Sequence, residues 1–276
     1  MSESLILNCP AKLNITLQVL GKKNDGMHEI KSHFQLINLF DEMQINKSKA
    51  LCNSIRTNAS IDIENDKNLV YQAIKALSKY VQQDIYCEVT IKKNIPIGGG
   101  LGGGSSNAAA ALIGINHLYS LNLSISELMK IGLELGADVP FFIFGKNAIA
   151  SGIGDKLHEI QCIKNNFLVL SPNIHSSTKD MFMKWDELNA QNALQPSMAD
   201  ENAFAQIFLD QHKEVRKFLQ TSSGFSKFRL SGTGSSIFYM DLNPTELEKT
   251  LKKIPTKWRH FFCEPLQCSP LLKYIT

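Results

Sequence analysis

Six glycines fill the seven positions from Gly98 to Gly104, broken only by Leu101. Pro96 and Ile97 lead in, and Ser105 and Ser106 follow. The Ala108–Ala111 run beyond them is strong helix former. The stretch 88–91 just upstream alternates like a short strand, so the order is strand, glycine turn, helix. Glycine has no Cβ, so its backbone N–H groups can close on an anion. A helix N-terminus adds unpaired N–H donors and roughly half a positive charge. Two serine hydroxyls supply further donors. The plain alternative is a flexible loop, or a helix capped by Ser105 or Ser106. So dense a glycine run directly before a helix favours phosphate binding.

The loop is not a Walker motif, because Gly104 is followed by Ser105 where that motif needs lysine. Gly98, Gly100 and Gly103 satisfy a dinucleotide fingerprint, but any glycine run does so easily. That reading also needs an acidic residue ~20 residues on at a strand end, and 118–125 has none. Phosphoryl transfer further requires cations near the transferring group, so a lysine must come from elsewhere.

The chain has 276 residues, enough for a full core without disulfides or metals. On a prior of about 150 residues per domain it forms one large or two smaller domains. Net charge is +3, too weak for a nucleic-acid footprint. The mean hydropathy of −0.11 argues against disorder and membrane classes. Cys9, Cys52, Cys87, Cys162, Cys263 and Cys268 show no metal-ligand spacing. No secretory leader or membrane-spanning run is visible. A reduced, cytoplasmic protein is the expectation.

Ala11, Leu13, Ile15, Leu17 and Val19 alternate with Lys12, Asn14, Thr16 and Gln18, which predicts a strand with one buried face. Asn24-Asp25-Gly26 marks a hairpin turn before a second extended stretch over 29–45. Helices are predicted over 68–81, 105–118, 126–136, 201–219 and 245–254, and a strand over 167–170. The mixture is α+β, with a boundary near 160–165.

Lys12 stands on the polar face of its strand, where a solvated lysine is the default. Asp138, in Gly136-Ala-Asp-Val-Pro140, reads on spacing as a helix N-cap with proline in the first turn. Its functional reading is a general base for a hydroxyl. Ser231-Gly-Thr-Gly-Ser-Ser236 is either a second phosphate nest or a hairpin loop. Lys252, Lys253, Lys257 and Arg259 read as a solvated face.

Together these motifs resemble the GHMP kinase superfamily of small-molecule kinases. The carrying residues are Pro10-Ala-Lys-Leu-Asn14, Gly21–Gly26 with His28-Glu29, Asn68-Leu-Val-Tyr71, Pro96–Ala109, Gly136–Phe142 and Leu230–Ser236. The first, second and fifth point to the member acting on a cytidyl-diphosphate polyol in non-mevalonate isoprenoid precursor biosynthesis. The resemblance implies a two-domain α+β fold, with a ribosomal-S5-domain-2-like half (1–160) and a ferredoxin-like half (161–276). ATP, carried with Mg²⁺, and the polyol would lie in the cleft between them. Pro96, Ile97, Gly98, Gly99, Gly100, Leu101, Gly102, Gly103, Gly104, Ser105 and Ser106 would wrap the ATP phosphates, with Lys93 and Asn68 nearby. Asp138 would take the proton of the substrate 2-hydroxyl, and Lys12 would hold it. Asn14, Met27, His28, Thr178 and Phe182 would bind the cytidyl substrate. Met27 stands where the family usually has an aromatic that stacks on the base. A thioether packs against a ring but stacks less well. The resemblance implies no nucleic-acid or membrane partner, and a monomer or homodimer. The other readings are a different GHMP kinase, a dinucleotide-dependent oxidoreductase, or a non-catalytic nucleotide- or RNA-binding module.

Overall fold

The Asn24-Asp25-Gly26 turn closes a long antiparallel hairpin. Gly26 adopts φ +84°, and Lys23 N–H donates to the Met27 carbonyl at 2.7 Å. Its arms are β1 (Ser4–Lys22) and β2 (His28–Lys47) in a computed structural model that describes residues 4–50, 52–58, 67–194, 201–222 and 227–275.

The hairpin does not keep one buried face. Its register shifts at Pro10/Ala11, where two extra β2 residues intervene. Before the shift, Leu7 and Cys9 pack with Met43 and Ile45 in the core beneath the helices. After it, Phe34 and Leu36 take that face, and their β1 partners are Asn14 and Lys12. The irregularity therefore flips the side-chain parity. Lys12 and Asn14 face the helical layer and are only 3% and 2% exposed, which corrects the expectation of a solvated lysine. Ala11, Leu13 and Ile15 face the second sheet instead.

β3 (Ser54–Thr57), β4 (Cys87–Lys92), β5 (Ala148–Ser151) and β6 (Lys156–Glu159) complete the first sheet, in the order β3-β4-β2-β5-β6 with β1 beside β2. Only β3–β4 is a parallel pair among its pairings. This is not the parallel sheet a dinucleotide fold requires. Helices α1 (Leu69–Val81), α2 (Gly103–Leu118), α3 (Ile125–Leu135) and α4 (Val139–Phe144) form the covering layer. α2 runs through its middle and is buried on nearly every side. Gly114 lets it approach the sheet, since a Cβ there would sit 2.6 Å from Leu7 Cδ1.

The second sheet holds β7 (Phe167–Ser171), β8 (Arg229–Leu230), β9 (Ile237–Tyr239) and β10 (Arg259–Cys263) in the order β10-β7-β9-β8. Around it lie α5 (Thr178–Ala190), α6 (Ala205–Gln211), α7 (Lys213–Thr221) and α8 (Pro244–Leu251). The single helix expected over 201–219 is two short ones. Asn202 ties its side chain to the Phe204 N–H and to the Leu230 and Gly232 carbonyls, so the helix cannot start before Ala205. His212, at ψ 75°, then separates α6 from α7. Phe167, Val169 and Phe238 join the two sheets through the apolar cluster of Ala11, Leu13 and Ile15. A final 3-10 helix (Pro270–Tyr274) returns to the first half, where Leu271 is fully buried in the helical core. No helix among the described residues is long and apolar enough to cross a membrane.

Candidate active site

α2 starts earlier than expected. Gly103 is its first residue, and Gly102, at φ +71°, holds the N-cap position without any side-chain cap. Ser105 and Ser106 therefore lie inside the first turn and cap nothing. The leading N–H groups stay open toward the glycine loop. Lys12 N–H donates to the Leu101 carbonyl at 3.0 Å, which pins the loop to β1.

The 231–236 segment is the hairpin between β8 and β9, and it is stitched to the glycine loop. Ser231 Oγ donates to the Gly100 carbonyl at 2.9 Å and accepts from the Asn14 N–H at 3.3 Å. Ser236 N–H donates to the Gly99 carbonyl at 3.0 Å. A Cβ on Gly100 would lie 2.1 Å from the Ser231 carbonyl oxygen. Glycine there, at φ +74°, allows the contact between the two halves.

The loop is the common wall of two cavities. On one side, about 350 Å³ is lined by residues 96–105, the segment 67–70, Lys93 and Asn107. Asn68 caps α1 by accepting from the Val70 N–H at 3.0 Å. Behind this cavity Asp41 is fully buried and saturated with donors. Lys93 Nζ pairs with it, the Asn94 and Ile95 N–H groups donate to it at 2.7 and 2.9 Å, and Asn107 Nδ2 donates at 3.1 Å. Lys93 also donates to Asn107 Oδ1 at 2.8 Å, locking the lysine beside the loop. Burial, with Asp41 nearby, pushes the neighbouring Cys9 thiol up to about 12. The Ser106 hydroxyl is buried without a partner and does not line the cavity wall.

On the other side, about 690 Å³ is lined from both halves of the chain. Lys12 and Asp138 stand there next to Gly100 and Gly102. Lys12 Nζ lies 3.3 Å from Asp138 Oδ2 and donates to Asn14 Oδ1. Asn14 Nδ2 donates in turn to Ser32 Oγ at 2.8 Å, and Ser32 to the Thr16 carbonyl at 2.6 Å. Asp138 occupies the N-cap position of α4, but its carboxylate makes no capping bond. One third of that side chain is open, so the carboxylate is available while its lysine is buried.

Met27, His28, Thr178 and Phe182 also line this cavity. Met27 is half exposed. Thr178 and Thr233 hydroxyls meet at 3.2 Å. His28 stacks on Phe182, with ring centroids 4.4 Å apart. Its Nε2 bonds to Asp186 Oδ1 at 2.6 Å, and Lys22 Nζ donates to Asp186 Oδ2 at 2.6 Å. Burial alone would raise the Asp186 carboxyl, but the His28 and Lys22 bonds outweigh it and hold the group below the usual carboxylate range.

Sequence reasoning missed Asp41, Asn107, Ser32 and Asp186. Two of them left a signal. Asp41 opens an Asp-Glu pair directly after the apolar run Leu39-Phe40, and Phe182, Trp185 and Asp186 have the spacing of one helix face.

The GHMP kinases N terminal domain family matches residues 68–146. A 4-diphosphocytidyl-2-C-methyl-D-erythritol kinase of Haemophilus ducreyi is 34% identical across 98% of this chain and 97% of its own. One of Ruthia magnifica is 37% identical, covering 95% of each chain. The chain belongs to the 4-diphosphocytidyl-2-C-methyl-D-erythritol kinase family. A crystal structure of a 4-(cytidine 5'-diphospho)-2C-methyl-D-erythritol kinase superposes with TM-score 0.74 at 23% identity, covering 95% of this chain and 99% of that one. Homoserine kinase from Cytophaga hutchinsonii superposes with TM-score 0.68 at 16% identity, covering 97% and 96%. The α+β architecture is thus that of GHMP kinases.

Proposed function

We propose that the protein phosphorylates the 2-hydroxyl of 4-diphosphocytidyl-2-C-methyl-D-erythritol with ATP, in isoprenoid precursor synthesis. The observation that carries this reading is the Lys12–Asp138 pair, placed beside the loop that divides the two cavities. Relatives that carry this kinase's name across nearly the whole chain support the acceptor. The change of sheet between β6 and β7 supports a division into 1–160 and 161–276.

Residues 97–105 offer backbone N–H groups to the ATP phosphates, Pro96 shapes the loop's entry, and Lys93 and Asn68 flank the nucleotide. Asp138 accepts the proton from the acceptor hydroxyl. Lys12 pairs with Asp138, holds its carboxylate in place and presents positive charge beside the loop. Asn14 and Ser32 fix Lys12 in turn. Met27, His28, Thr178 and Phe182 hold the cytidyl end. Most of the rate gain then comes from positioning and fixed charge. The described residues contain no cluster of three or more His, Cys, Asp or Glu to cage a metal. The Ser106 hydroxyl is buried off the cavity wall, so a magnesium ion would arrive with the nucleotide and be held chiefly by its phosphates. That ion would neutralise charge on the transferring phosphoryl group.

The test is ADP release from Mg-ATP with the cytidyl polyol, compared with mevalonate, homoserine and no acceptor. Release with the cytidyl polyol alone is expected. Release with another acceptor instead, or with none despite ATP binding, defeats the assignment.

A further inference from the structure

Helix α5 presents Phe182, Trp185 and Asp186 at i, i+3 and i+4, which places all three on one face. All three close on one ring from β2. Phe182 stacks on the His28 imidazole at 4.4 Å and 27° between planes, and Trp185 meets its edge at 5.9 Å. Asp186 takes the remaining direction, bonded to Nε2 at 2.6 Å. The His28 side chain is 9% exposed, although the residue lines the larger cavity. An ionised carboxylate can only accept, so the proton of this bond belongs to Nε2. Nδ1 has no partner among the described residues. Lys22, held on the other Asp186 oxygen, balances the carboxylate and ties the hairpin tip to α5.

We infer that Asp186 is a positioning residue for recognition of an aminopyrimidine base. It fixes the ring pose and Nε2 proton of His28, so that Nδ1 is left to read the base edge. This rests on the proposed function, in which His28 holds the cytidyl end. It also bears on Met27. Where a thioether replaces a stacking ring, base selectivity has to come from hydrogen bonding, and the α5 clamp makes that bond directional. Carboxylates that accept from a metal-bound imidazole orient the ring by the same logic.

The experiment compares CDP and UDP binding, by calorimetry, to wild type, Asp186→Ala, Asp186→Glu, His28→Ala and the double alanine variant. ATP binding serves as the folding control. Wild type is expected to prefer CDP by about fivefold or more, the value of one hydrogen bond. Asp186→Ala should bring that ratio close to one with ATP affinity unchanged, and Asp186→Glu should restore part of it. The double variant should be no weaker than His28→Ala. In full-length protein, an exchange-protected Nε2 proton of His28 should appear by NMR in wild type and vanish in Asp186→Ala. An unchanged CDP-to-UDP ratio in Asp186→Ala, or penalties that add fully, overturns the positioning role. If wild type still turns over the cytidyl polyol in that case, the function stands and only this role falls. If wild type binds neither nucleotide and releases no ADP, the function falls and this role falls with it.

Discussion

The two cavities share one wall and are built in opposite ways. The smaller is lined chiefly by one continuous backbone run, 96–105, braced behind by Asp41, Lys93 and Asn107. The larger takes single side chains from widely separated segments: Lys12, Met27 and His28, Asp138, Thr178 to Asp186, and Thr233. Under the proposed function, a cavity made of main chain suits what is common to every nucleoside triphosphate, its phosphates. A cavity made of side chains recognises what is particular to one acceptor.

Substitutions on the two sides should therefore fail differently. Lys12→Met removes the cation beside Asp138, and turnover should fall by about 10²–10³-fold, the scale of losing one electrostatic stabiliser. ATP affinity should stay near wild type in a direct binding assay. Asp41→Ala lies behind the smaller cavity and leaves Lys93 mostly enclosed without its counter-charge. The variant should show a stability loss of about 3 kcal/mol in denaturant titration, as breaking a buried pair does, and should weaken ATP binding as well. A drop in turnover at full stability and full ATP affinity would show that Asp41 belongs to the chemistry. Ser106→Ala is the mildest. Its hydroxyl is buried without a partner, so removing it breaks no hydrogen bond and stability in denaturant titration should not fall below that of wild type. Mg-ATP affinity should stay near that of wild type in a direct binding assay, because the hydroxyl does not line the cavity.

The same contrast explains what can be read from sequence. Glycine without a Cβ, followed by a helix-forming run, is a local instruction, and residues 98–118 fold as that pattern predicts apart from an earlier helix start. The hairpin and the alternation in β1 are also legible. The burial of Lys12 is not, because it depends on a register shift against Ile37–Phe40 and on a loop ninety residues away. Asp138 reads on spacing as a cap and stands at the cap position, but its carboxylate pairs with Lys12 instead, which the family resemblance implies and local spacing does not carry. The late start of α6 follows from Asn202 reaching Leu230 and Gly232, contacts that no local pattern carries. The acceptor side suffers most, since Asp186 acquires its meaning only when α5 packs against the hairpin tip.

If the loop separates nucleotide binding from proton removal, Asp138 acts on the acceptor side alone. Asp138→Asn puts this to the proof, with ATP affinity and single-turnover ADP formation measured on the same sample. ATP affinity should lie within about twofold of wild type, and the rate should be lowered by about 10²–10⁴-fold, the range for a general base. A rate near that of wild type would reduce Asp138 to the residue that precedes α4, and the site assignment would fail.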